Sequence, residues 1–219
     1  MRKRSAFTLV EVLVVVFIIG ILALLAVGQI GRLTQRSELT RTVNNLKNIA
    51  GSIYSYASDN NGEFPVNRAG VGVYATPLRE YLGETNLVGP ATLLRSVFYT
   101  KSQKRPYFIG STNSGYALSY GMNGYIGITN NTVFTAGSRI HQVDRPSKLA
   151  MLMDFQDHYI VSSGTANTNR VADLRARYGG KIVVVFADGH TEVMPVDSIF
   201  PVISPTVAEA ATNGFWLGN

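Results

Sequence analysis

The stretch Phe7-Thr-Leu-Val-Glu11-Val-Leu-Val-Val-Val16-Phe-Ile-Ile-Gly20-Ile-Leu-Ala-Leu-Leu-Ala26-Val-Gly28-Gln-Ile-Gly31 sets the organisation of the chain. It carries one charged side chain, Glu11, and is otherwise almost wholly apolar. A helix rises about 1.5 Å per residue, so about 20 residues cross the roughly 30 Å hydrocarbon core of a bilayer. The stretch is long enough to span. Arg2, Lys3 and Arg4, just before it, belong on the cytoplasmic side, which places residues 32–219 on the far side.

Three kinds of segment share this outline: an ordinary secretory signal, a plain signal anchor, and a leader that is cut off ahead of the apolar run. Ala26-Val-Gly28 fits the small-residue cut of an ordinary signal, although the apolar run is longer than such signals need. What that reading leaves unexplained is Glu11. A carboxylate in an apolar span costs about 2.5–3.5 kcal/mol near the helix centre and less toward its end, so it calls for a partner or for water at the headgroup boundary.

Composition narrows the alternatives. With 219 residues, 46% of them hydrophobic, the chain can bury a real core. The net charge is +6, but Arg2, Lys3 and Arg4 supply half of it, leaving 17 basic against 14 acidic side chains beyond them. Half of the basic excess thus sits in three residues at the N-terminus, and no specific nucleic-acid partner is expected. There is no cysteine, so disulfides, thiolate nucleophiles and thiolate metal sites are excluded.

Ser5-Ala-Phe-Thr-Leu-Val-Glu11 resembles the signal of type IV pilins and type II secretion pseudopilins. The resemblance implies that a prepilin peptidase cuts between Ala6 and Phe7 and methylates the new Phe7 amine. It also implies that Glu11 of one subunit meets the Phe7 amine of a neighbour and sets register during assembly. The family has glycine before the cut; here it is Ala6, also small. Two opposite charges in a low-dielectric bundle offset each other's desolvation, whereas either alone is costly. The implied partners are the peptidase, other pilin or pseudopilin subunits, an inner-membrane assembly platform, and the lipid bilayer before assembly.

Beyond the span, Leu39, Val43, Leu46, Ala50, Ile53 and Ala57 recur at helical spacing and form one apolar stripe, with Arg36, Arg41, Asn45, Lys47 and Asn48 on the other faces. One helix is expected from about Phe7 to Ser58, ended by Asp59-Asn-Asn-Gly62 and Pro65. The run Tyr56–Pro65 also resembles the stretch that follows the long helix of major pseudopilins. Residues 66–135 read as loops and short strands. Clearer strands follow at Leu149–Met153, Tyr159–Val161, Ile182–Phe186 and Thr191–Val196. Ala187-Asp-Gly-His190 between the last two is a hairpin signal. The tail after Pro205, with Phe215 and Trp216, is expected to cover part of the core.

The expected fold is therefore α+β: a leader (1–6), a transmembrane or filament-core helix (7–31), its amphipathic continuation (32–58) and a small antiparallel β domain (59–219). Ser119–Asn123, Arg145–Asp154 and Gly179–His190 further resemble pilin-like families of planctomycetes and verrucomicrobia that carry a His-x9-Asp-Gly motif. Ten residues before Asp188, however, stands Tyr178, so an imidazole role there is lost and a structural use of the motif is favoured.

Asp154, Asp157, His158, Asp188 and His190 are metal-capable types, but they lack the regular spacing of a calcium loop. Neither Gly-x-Ser-x-Gly nor His-Glu-x-x-His occurs, so no enzyme activity and no cofactor are expected. Lys101, Lys104 and Arg105 form a small basic patch that reads as a solvated loop. The function expected is that of a structural subunit of a type IV pilus-like or pseudopilus filament, single-pass in the inner membrane before assembly. The alternative is an exported binding module or enzyme, membrane-tethered or secreted by an ordinary signal.

Overall fold

The computed structural model describes residues 8–65, 73–85, 94–102, 107–109, 116–123, 130–131, 134–135, 139–155, 159–160 and 168–199. The first element, α1, is one helix over Leu9–Asp59. It ends as the Asn-rich turn requires. Asn61 and Gly62 take positive φ of 54° and 81°, and the Gly62 N–H returns to the Ala57 carbonyl at 2.7 Å, which closes the last turn.

The other elements are α2 (Ala75–Tyr81), β1 (Tyr107–Ile109), β2 (Tyr116–Leu118), β3 (Tyr120–Asn123), β4 (Asn130–Asn131), β5 (Phe134–Thr135) and a 3-10 turn at Ile140–Gln142. They continue with β6 (Ala150–Asp154), β7 (Tyr159–Ile160), α3 (Thr168–Ala176), β8 (Lys181–Phe186), β9 (Thr191–Pro195) and α4 (Val196–Ile199). The chain divides into two compact units, Met1–Ser37 and Glu38–Asn219.

In the second unit the sheet runs β7-β3-β6-β8-β9. Four strands are antiparallel, as expected for this α+β fold, but β7 lies parallel to β3. The reason is topological: the chain reverses after β6, so β7 runs opposite to β6 and hence along β3. The sheet is covered on both faces, which explains the apolar run Ile182-Val-Val-Val-Phe186. Val183 and Val185 face the cluster that contains Leu46, Ile49, Ala50 and Ile53 of α1. Ile182, Val184 and Phe186 face Val171 and Leu174 of α3 and Val196 and Ile199 of α4. A register shift in β6 between Ala150 and Leu152 lets Met151 and Leu152 both face the α1 side.

The stripe expected on α1 is the buried one, with Leu39 and Val43 partly buried at its upper end. Asn45, expected on an outward face, instead donates to the Tyr120 hydroxyl at 3.1 Å. Among the described residues no helix is long and apolar enough to cross a membrane. The side chains of residues 25–30, in the second half of the expected span, lie outside the described set, as does the tail after Pro205.

Candidate functional site: the head of the long helix

Of the three residues singled out at the N-terminus, Ala6 and Phe7 lie outside the described residues. Glu11 stands in the first turn of α1. Its Oε2 accepts the Thr8 backbone N–H at 2.8 Å and the Thr8 hydroxyl at 2.9 Å, while the Glu11 N–H reaches the Thr8 Oγ1 at 3.3 Å. This is a reciprocal cap: a carboxylate near a helix N-terminus satisfies otherwise orphaned donors and complements the helix dipole. The reading of the N-terminal signal does not single out Thr8, yet Thr-x-x-Glu ahead of an apolar run is itself a capping signature.

Around and after Glu11 the helix surface is apolar and open. Leu9, Val10, Val12, Leu13, Phe17, Ile18, Ile19, Leu22 and Leu24 are all exposed. Exposure on every side, with no charge beyond Glu11 over Leu9–Leu24, is unusual for a helix facing water.

The residues shared with the Asp-Gly motif serve packing. In the β8–β9 hairpin, Asp188 Oδ1 accepts the His190 backbone N–H at 3.0 Å and contacts the His190 Nδ1 at 2.5 Å; the His190 ring stacks on Phe186 at 4.2 Å. Gly189 takes a φ of +90°, and a β-carbon there would stand 3.3 Å from the Tyr54 hydroxyl of α1. That hydroxyl donates to the Ala187 carbonyl at 3.1 Å, and burial pushes its pKa up to about 12. The left-handed backbone favours glycine at this turn, and a side chain there would press on the Tyr54 ring.

Tyr178, standing where the motif has histidine, is buried and shares hydrogen bonds with Thr42 of α1 at 2.8 Å, with Thr100 at 3.5 Å and with Ser102. Asp154 is bound by Arg177, not set beside His190. Asp157, His158, Lys104 and Arg105 lie outside the described residues. Among the described residues no group of three or more His, Cys, Asp or Glu is placed to hold a metal ion.

Residues 1–27 match the family model described as the prokaryotic N-terminal methylation motif. The chain thus carries a prepilin-type signal, and its motif implies processing by a prepilin peptidase. No curated protein and no solved structure matches the chain.

Proposed function

We propose that this protein is a structural subunit of a type IV pilus-like or type II secretion pseudopilus filament. The observation that carries the reading is the methylation motif over residues 1–27, continuous with the apolar head of α1. Cleavage falls between Ala6 and Phe7. The new Phe7 amine keeps a positive charge after methylation, and Glu11 of an adjacent subunit is its counter-ion. Before assembly, residues 7–31 sit in the inner membrane with the leader cytoplasmic, residues 32–58 continue the helix, and residues 59–219 lie outside. During that interval the bond from Thr8 gives Glu11 a partner within its own chain. The fit of the motif to a filament subunit supports a packing role for the second unit, without catalysis. An inner-membrane assembly platform and sister subunits are the partners this role requires.

The test is mass spectrometry of the N-terminus of protein purified from its native membrane. A peptide beginning at methylated Phe7 is expected. A mature chain beginning at Gln29, or an uncut Met1, would instead indicate a secreted or tethered module and overturn the proposal.

A further inference from the structure

Among the described residues two charged side chains are buried, and they face each other where α3 ends against β6. Asp154, the last residue of β6, has no exposed surface; Arg177 is the residue after α3. Arg177 Nη1 donates to Asp154 Oδ1 at 2.5 Å, while Nη2 and Nε donate to Asp173 Oδ2 at 2.5 and 3.0 Å. One guanidinium therefore serves two carboxylates, and the cluster is one negative charge in excess when both are ionised.

The two carboxylates are not equivalent. Asp173 keeps 13% of its side chain in solvent, whereas Asp154 keeps none, and Asp154 Oδ2 has no hydrogen-bond partner among the described residues. An ionised buried oxygen without a donor is costly, and a second carboxylate nearby raises the cost further. Among the described residues the remaining titratable groups that face Asp154 are Tyr120, opposite it on β3, and Tyr178, beside Arg177. Burial raises both phenols, so neither contributes a charge near neutral pH. Nothing in this set neutralises the excess except a proton.

We propose that Asp154, Asp173 and Arg177 form a proton-linked junction in which Asp154 holds a proton while the Arg177–Tyr178 corner is closed against β6, so that mild acid tightens the junction. The linkage reaches α1 through the next residue. Tyr178 takes a φ of +43°, a region that bulky side chains avoid, and its hydroxyl is held by Thr42, Thr100 and Ser102. Arg177 and Tyr178 are adjacent tethers, one to the sheet and one to the helix. The part of α1 they reach presents Thr42 and Asn45 inward, in place of the aliphatic side chains found further along.

The sign follows from burial, which pushes the Asp154 carboxyl up to about 6 against the opposing pull of Arg177. A group raised in the folded state contributes stability that is fully present below its unfolded value, 3.8, and is lost as pH rises through the folded one. The window is therefore about pH 4 to 6, and the limiting slope for one proton is about tenfold in the folding constant per pH unit.

Denaturant unfolding of the full chain in detergent, followed by circular dichroism across this window, compares the wild type with Asp154→Asn, which leaves Arg177 its bonds to Asp173. The ratio of wild-type to variant folding constants should rise as pH falls, approaching about tenfold per unit. A ratio that is flat, or falls with decreasing pH, overturns the proposal. If the variant does not fold, the carbon-13 shift of the Asp154 carboxyl in the wild type decides: a midpoint near 6 supports the junction, and one below 4 overturns it.

Discussion

Gly189 and Glu11 show two ways in which one residue constrains this chain. At Gly189 the backbone is left-handed and the Tyr54 hydroxyl occupies the space beside the missing side chain. Gly189→Ala combines both penalties and should cost about 1–3 kcal/mol, read as a lower denaturation midpoint with an unchanged slope. Glu11 is proposed to constrain assembly and not the fold: it is exposed, and among the described residues its bonds are to Thr8. Glu11→Ala should still insert, as judged by membrane fractionation, but be absent from sheared filaments; normal incorporation would argue against the charge pairing. Both residues are legible in the sequence, Glu11 as a charge in an apolar run and Gly189 in a hairpin signal. The second reason for Gly189, the approach of Tyr54, is not legible there, since those residues are far apart in the chain.

At the scale of elements, α1 is the best-predicted part of the molecule, while β7 falls on its expected strand but pairs parallel to β3 where an antiparallel sheet was expected. The inward stripe of α1 is a local periodicity, and residues Leu46, Ala50, Ile53 and Ala57 are buried where that period places them. Ile53 has no exposed surface and packs in the cluster on one face of the sheet. Ile53→Ala should therefore destabilise the protein by about 2–5 kcal/mol in the same unfolding measurement. An exposed neighbour such as Ser55→Ala should stay within about 0.5 kcal/mol. The strands β6, β8 and β9 fall within one residue of their expected bounds, because β-branched runs ended by turn residues are also local signals. By contrast α2 and α3 lie in segments too short or too polar to declare a helical period. Their apolar contacts, Ala75 and Leu78 on one side of the sheet, Val171 and Leu174 on the other, identify them only once the sheet exists.

For the molecule as a whole, the two compact units meet the solvent differently. The described side chains at the head of α1 expose Leu, Val, Ile and Phe, while the unit from Glu38 onward buries two apolar clusters on opposite faces of one sheet. A chain starting at Arg32 should thus be soluble without detergent and unfold in one cooperative thermal transition. Aggregation or a broad, non-cooperative melt would show that the second unit needs the apolar head to fold.

The sequence by itself determined the N-terminal signal, the long helix, its inward stripe, its Asn-Gly stop and the Asp-Gly hairpin. Each depends on residues within a few positions of one another, so hydropathy, period and turn chemistry suffice to read them. Only the tertiary structure decided the parallel edge at β7, the helices on the second face of the sheet and the meeting of Asp154, Asp173, Arg177 and Tyr178 with Thr42 and Thr100. Those arrangements arise from burial and charge pairing between distant segments, which no local pattern encodes.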